Sequence, residues 1–285
     1  MTKKQQRKMT IIFLVIGALL VAGIVMTAGS YTQEEDVVTV IRDSVIHDTN
    51  KIDLFGLEVN PGLIAGFAVT GILTVFALIV RIFVIPRFTL VPGKFQMVLE
   101  WLVGYFSGLS ETNSPRKNRL LGAYVFAAGF YIFAGTMFEL FGIQAVTTSG
   151  HSVALPAPLS DVNGAIMMGC TSYLFIVLGG ILNNGVGGLG GALKEFSLPI
   201  SMSFRLFGAL LSGLLVTELV YYYINLSFVL PVIVGILFTL LHALIQSYVL
   251  TMLTAVFYGE VSAPSAKKPK AAKKKNVAKT QQAAA

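Results

Sequence analysis

"VLPVIVGILFTLLHALIQSYVLTMLTAVFY", residues 229–258, runs for thirty positions without a lysine, arginine, aspartate or glutamate. As a helix it measures about 45 Å, against the roughly 30 Å of a bilayer's hydrocarbon core. A stretch so long and so apolar is a membrane span. The remainder of the 285-residue chain agrees, with 55% hydrophobic and 12% charged residues and a mean hydropathy of +0.76. That composition is too apolar for a water-covered surface. Further spans are predicted at 10–29, 61–85, 119–142, 165–184 and 197–224.

Charge between these segments alternates from loop to loop. Lys3, Lys4, Arg7 and Lys8 precede the first, while Glu34, Glu35, Asp36, Asp43, Asp48 and Asp53 crowd the segment after it. Arg87, Lys94, Arg116, Lys117 and Arg119 flank the next connection, Asp161 stands alone in the third, and Lys194 lies in the fourth. Because positive charge stays on the cytoplasmic side, six crossings with both ends cytoplasmic satisfy the pattern. Residues 1–30 also fit a secretory signal, with a basic start, an apolar core and "TAGS" before a cut near Ser30. Both readings stay open, which leaves five or six transmembrane helices. The fold class is an all-α polytopic membrane protein. Its divisions are 1–30 as span or signal, 31–60 as an external acidic segment, 61–260 as the membrane domain and 261–285 as a tail.

The net charge of +7 comes mostly from that tail, "AKKPKAAKKKNVAK", with seven lysines from Lys267 to Lys279. A Lys/Ala segment buries too little apolar area to fold by itself, so it is expected to be disordered near anionic headgroups. This argues against nucleic acid as a partner and for membrane lipid. Cys170 has no second cysteine to pair with. Residues 90–112 are too interrupted by Lys94, Gln96 and Glu100 to cross a bilayer, yet Phe95, Val98, Leu99, Leu102 and Phe106 recur at helical spacing. They predict an interfacial amphipathic helix on the cytoplasmic face, with Trp101 and Tyr105 at headgroup depth. "SDVNG", residues 160–164, supplies cap residues for the following span. The glycines of "NNGVGGLGGA" form a G-x-G-x-x-G at Gly185, Gly187 and Gly190, but no strand precedes them and no acidic residue follows at the required distance. They read as a flexible cytoplasmic turn.

One residue resists a purely structural explanation. In "ISMSFRLFGALLSG", residues 200–213, Arg205 sits about 15 Å of helix beyond Glu195, too deep for easy snorkelling. An ionised side chain at such depth costs from about +2.5 kcal/mol upward and usually marks a pathway. Ser201, Ser203, Ser212, Thr217 and Glu218 share its segment, and His242, Gln246, Ser247, Thr251 and Thr254 occupy the next. His242 and Gln246 are four apart and so share a helical face. With the two helices antiparallel, Glu218 lies nearest the outside, His242 next, and Gln246 at about the depth of Arg205.

These residues carry a resemblance. "RLFGALLSG" after "LPISMS", then "HALIQSYVLTMLTAVFYGE", resembles the last two helices of subunit a of the F-type ATP synthase. "LVPGKFQMVLEWLVGYFSG", "FELFGI" and "PLSDVNGAIMM" are similar, in order, to earlier parts of the same family, so that residues 55–260 are covered. The resemblance implies a stator protein of the bacterial plasma membrane, whose two long final helices face a c-ring and which also meets the peripheral-stalk b subunits. It implies that Arg205 is the essential stator arginine and Gln246 its partner, with H⁺ or Na⁺ passing through two half-channels. No nucleotide, metal or other cofactor is implied, since ATP chemistry belongs to partner subunits. The chain departs from the family at Ala209 and Leu214, where polar residues are usual, and at Thr239. Glu218, one turn beyond Leu214, is expected to replace the missing acid, with His242 beside it in the outer half-channel and Glu195 at the inner exit. An alternative of another class is a secondary transporter holding an anionic substrate at Arg205; it predicts inverted internal repeats, which are not seen.

Overall fold

The computed structural model describes residues 14–15, 17–18, 22, 52–54, 57–114, 119–146, 152–222 and 230–263. The expected first span, the acidic segment as far as residue 51 and the lysine tail beyond residue 263 lie wholly or almost wholly outside the described residues. Five helices there are long and apolar enough to cross a membrane, and they match in order the five spans predicted from residue 61 onward.

A short hairpin, β1 (Ile52–Leu54) antiparallel to β2 (Leu57–Val59), leads into α1 (Pro61–Ile79). Asn60 caps α1 by accepting from the Gly62 N–H, and Pro61 occupies the first turn, where its missing N–H costs nothing. The helix does not stop at Ile79. It widens into a π-helical turn over Val80–Val84 and tightens into a 3₁₀ turn over Ile85–Arg87, which contains Pro86. Next comes α2 (Lys94–Asn113), the predicted amphipathic helix, which begins after the irregular stretch 88–93. Its Phe106 and Ser110 are buried against the bundle, while Phe95, Val98, Trp101 and Tyr105 are exposed. That division suits a helix with one face on protein and another at lipid.

α3 (Arg119–Leu140) crosses back and ends at Gly142, whose φ of +58° turns the chain. A second hairpin follows, β3 (Gln144–Val146) with β4 (Ser152–Ala154). Sequence reading gave neither hairpin, since three-residue strands are too short to show a period. Residues 155–160 then tuck inward as a buried plug, Pro158 lying against Gly66 of α1 and Gly135 of α3. Asp161 caps α4 (Val162–Lys194), accepting from the Asn163 N–H and, at 3.2 Å, from the Asn60 amide that starts α1. The "SDVNG" expectation thus holds, and one carboxylate ties two helix starts together.

The glycine-rich turn is a different object from the one expected. α4 runs to Asn184, reverses at Gly185 (φ +57°, ψ −134°) and returns as a helical segment to Lys194. The Tyr173 hydroxyl donates to the Ala192 carbonyl at 3.1 Å, although nineteen residues of continuous helix would separate them by about 28 Å. Gly180 and Gly188 meet backbone to backbone. What reads as a flexible loop is therefore a helical hairpin with its bend confined to one residue. Glycine makes both parts possible, through left-handed φ at 185 and through the absent Cβ at 180 and 188. Asn183 and Asn184 fasten the bend to the end of the last helix, donating to Ser262 Oγ and to the carbonyls of Val261 and Ala263.

The last pair, α5 (Ser197–Tyr222) and α6 (Leu230–Ser262), completes the bundle. α3 packs chiefly on α6, and α4 on α5 and α6. Close approach is again set by glycine: Gly129 receives the Phe106 ring of α2 and the Thr251 methyl of α6, Gly169 receives Ser203, and Gly179 receives the Tyr258 ring. In a bilayer, where apolar residues gain little by leaving lipid, small residues at helix contacts supply the packing.

Candidate functional site

α5 presents two faces. Leu198, Met202, Ser203, Leu206 and Leu210 recur at helical spacing and are buried, against α4 where Gly169 receives Ser203 and the Pro199 carbonyl. Ser201, Phe204, Arg205, Gly208 and Ser212 occupy the other side and are exposed. Arg205 therefore points away from its own bundle, at membrane depth, and has no hydrogen-bond or ion-pair partner among the described residues. Its neighbours on that face are small except for Phe204, 69% exposed.

α6 carries the polar residues predicted for it, and all four of Gln246, Ser247, Thr251 and Thr254 are buried. The hydroxyls are satisfied at home. Ser247 donates to the Gly129 carbonyl of α3 at 2.7 Å, Thr251 to Ser247 O at 2.6 Å, and Thr254 to Leu250 O at 2.8 Å. Bonding back to a carbonyl is the cheap solution for a hydroxyl with no water nearby. Gln246 is the exception. It is 5% exposed and its Oε1 has no hydrogen-bond partner.

His242 is half-buried, its Nδ1 at 2.8 Å from the Phe238 carbonyl and its ring stacked on Phe238. It lies against α5 at Gly213, where an added Cβ would come within 3.4 Å of Nδ1. This contact sets the register of the pair. The structure places Gln246 buried inside the bundle and Arg205 exposed outside it.

Glu195 sits half-buried in the turn between α4 and α5, its carbonyl accepting from Leu198 N–H at 3.0 Å. Glu218 belongs to α5 by its backbone, but its side chain and that of Thr217 lie outside the described residues. Sequence reading did not single out Asn60, Asn183 or Asn184 as anchors of the helix ends. A cap-type residue before Pro61 and an Asn pair before Gly185 were the available signals.

The fold and this site define a polytopic helical membrane protein that displays a fixed cation partway along a span. The family model described as ATP synthase A chain matches residues 67–259, and the chain belongs to that family. It is similar to proteins named ATP synthase subunit a: one from Bacillus velezensis, 25% identical over 242 residues that cover 74% of this chain and 96% of the relative; one from Cereibacter sphaeroides, 25% identical over 183 residues, 60% and 70% respectively; and one from Histophilus somni, 24% identical over 203 residues, 59% and 76%. With bacterial relatives and five apolar helices, it is a multi-pass bacterial membrane protein.

Proposed function

We propose that this chain is the stator subunit that carries ions to and from the c-ring of an F-type ATP synthase. The observation that carries the proposal is the exposed Arg205 at membrane depth, with no hydrogen-bond or ion-pair partner among the described residues. Facing lipid, it would cost about 2.5 kcal/mol at the least. A partner bringing a carboxylate to that face removes the cost, and a ring of subunits with one acid each brings a fresh carboxylate at every step. The face admits such a partner, because Gly208 and Ser212 on either side of one helical turn let another helix approach closely.

In this reading an ion enters from outside past Glu218 and His242, neutralises a rotor carboxylate, travels round with the ring and leaves near Glu195. Protons are the ion we favour over Na⁺. The guanidinium of Arg205 attracts the ionised acid, and a guanidinium is a donor only and does not pass a proton along. It thereby separates the two access routes. Each elementary charge crossing 100 mV releases about 2.3 kcal/mol, so several transfers are needed for each ATP made by partner subunits.

Two experiments address this. A photocrosslinker placed at Ser201 or Ser212 in the gently purified complex is expected to capture a c-ring subunit, while one at Val75, exposed on α1, is not. Capture from neither α5 position defeats the reading. Glu218→Gln is expected to slow proton conduction severalfold at neutral pH in reconstituted vesicles; an unchanged rate removes Glu218 from the inlet.

A further inference from the structure

The sequence of α3 contains a single carboxylate, Glu139, one residue before the helix ends at its outer side, and the transport reading above leaves it without a role. Stability gains nothing from an acid there. The last turn of a helix carries the negative end of its dipole and favours cations, and a glutamate close to the outer headgroups reaches water most easily by turning away from the bundle. The opposite arrangement is found. Leu140, Phe141 and Ile143 are the exposed side chains at this end, whereas Phe138 is buried and Glu139 half-buried. Thr136, three residues before Glu139 and so its neighbour on the helix surface, is buried as well. Apolar side chains thus take the surface while the acid is held toward the interior. An ionisable group kept inside a membrane bundle is costly and usually lines a path for ions.

Two contacts fix the level of Glu139 on the neighbouring helix. Ser247 of α6 donates to the Gly129 carbonyl of α3, and the Thr251 methyl sits where a Gly129 Cβ would be. Gly129 is therefore level with the turn between Ser247 and Thr251. α3 runs outward and α6 inward, so about 15 Å outward along each helix from that level stand Glu139 on α3 and Thr239 on α6. His242 lies about one turn further in, on the side of α6 that also carries the buried Ala243, Gln246 and Ser247. Acid and imidazole follow one another inward on adjacent helices.

The imidazole is prepared to take a proton. Its Nδ1 is 2.8 Å from the Phe238 carbonyl. Because a carbonyl only accepts, Nδ1 carries the hydrogen, and the neutral ring keeps its lone pair on Nε2.

We propose that Glu139 is a further catalytic residue of the proton inlet, an acid supplied by α3 that loads His242. This rests on the stator reading. The Glu139 carboxylate takes a proton from the outer water and becomes the neutral acid. It gives that proton to Nε2 of His242, returning to carboxylate and leaving an imidazolium whose Nδ1–H still donates to Phe238. The imidazolium then releases the Nε2 proton inward, toward the rotor acid, and is neutral again.

The test uses the whole complex in reconstituted vesicles, with ATP-driven proton pumping read beside the melting temperature of the purified complex. Glu139→Gln is expected to slow pumping about tenfold at an unchanged melting temperature, and Glu139→Asp, which keeps a carboxylate, to recover at least half of the rate. Glu139→Gln combined with His242→Asn should be no slower than the slower single variant, since the two act in series. Unchanged pumping in Glu139→Gln, while Arg205→Ala measured beside it has lost pumping, overturns the Glu139 assignment and leaves the stator reading standing; normal pumping in both overturns the two together. Equal losses in the Gln and Asp variants, with the melting temperature lowered in each, make Glu139 a support of the helix end and overturn the relay. Losses that multiply in the double variant put the residues on separate routes and overturn the transfer from Glu139 to His242.

Discussion

Arg205→Ala is expected to abolish ATP-driven ion pumping by the assembled complex while leaving the subunit folded and assembled. The two halves of that expectation have separate grounds. Folding should survive because the guanidinium bonds to nothing among the described residues and lies on the exposed face of α5; removing it leaves no cavity and no orphaned partner. A lipid-facing or partner-facing arginine replaced by alanine also lowers the cost of insertion, by about 2.5 kcal/mol on the insertion scale. Pumping should fail because no neighbouring cation takes its place. Ser201, Gly208 and Ser212, the polar or small residues nearest on that face, carry no charge, and the family positions that often add polar groups are Ala209 and Leu214 here. Arg205→Lys is the informative companion. An ammonium keeps the charge, but it is compact, shifts its pKa readily when desolvated and lacks the rigid fork of donors. Pumping in reconstituted vesicles should be strongly reduced rather than normal. Preserved pumping in Arg205→Ala would remove the stator reading.

Part of this was legible in the sequence and part was not, and the division follows from the lipid environment. Span existence could be read because desolvating backbone and charge is so costly that hydropathy alone reports it. Asp161 as a cap could be read because its chemistry is local, and the amphipathic character of α2 because one side of it meets polar headgroups. Which way Arg205 points could not. On a helix whose neighbours are lipid on one side and protein on the other, both sides are apolar, so periodicity around the arginine carries almost no signal. The reversal at Gly185 was hidden for another reason. Glycine-rich sequence is compatible with a floppy loop or with tight helix packing, and the choice is made by a long-range contact, Gly180 against Gly188, together with the asparagine bonds to Val261 and Ala263.

That hairpin gives the second large effect. Gly188→Val should greatly lower the yield and thermal stability of the protein, whereas Gly190→Ala, two residues away in the same run, should not. At 188 an added Cβ meets the Gly180 carbonyl and backbone, which cannot swing aside as the end of a side chain can. Overpacking costs about 1–3 kcal/mol when side chains can relax and more when they cannot, and here relief requires the return segment to lift from α4. Lifting it breaks the bond from Tyr173 to Ala192 and strains the two asparagine anchors, so the inner end of α6 loses its hold as well. At 190 nothing lies within 4 Å of the new methyl, and alanine is favoured over glycine in a helix by roughly 0.5–1 kcal/mol. Thermal unfolding in detergent, followed through the single tryptophan, Trp101, compares the two directly. If the glycine-rich run at 183–192 were a flexible loop, both substitutions would be tolerated equally; a wide gap between them is the outcome required by a helical return packed on α4.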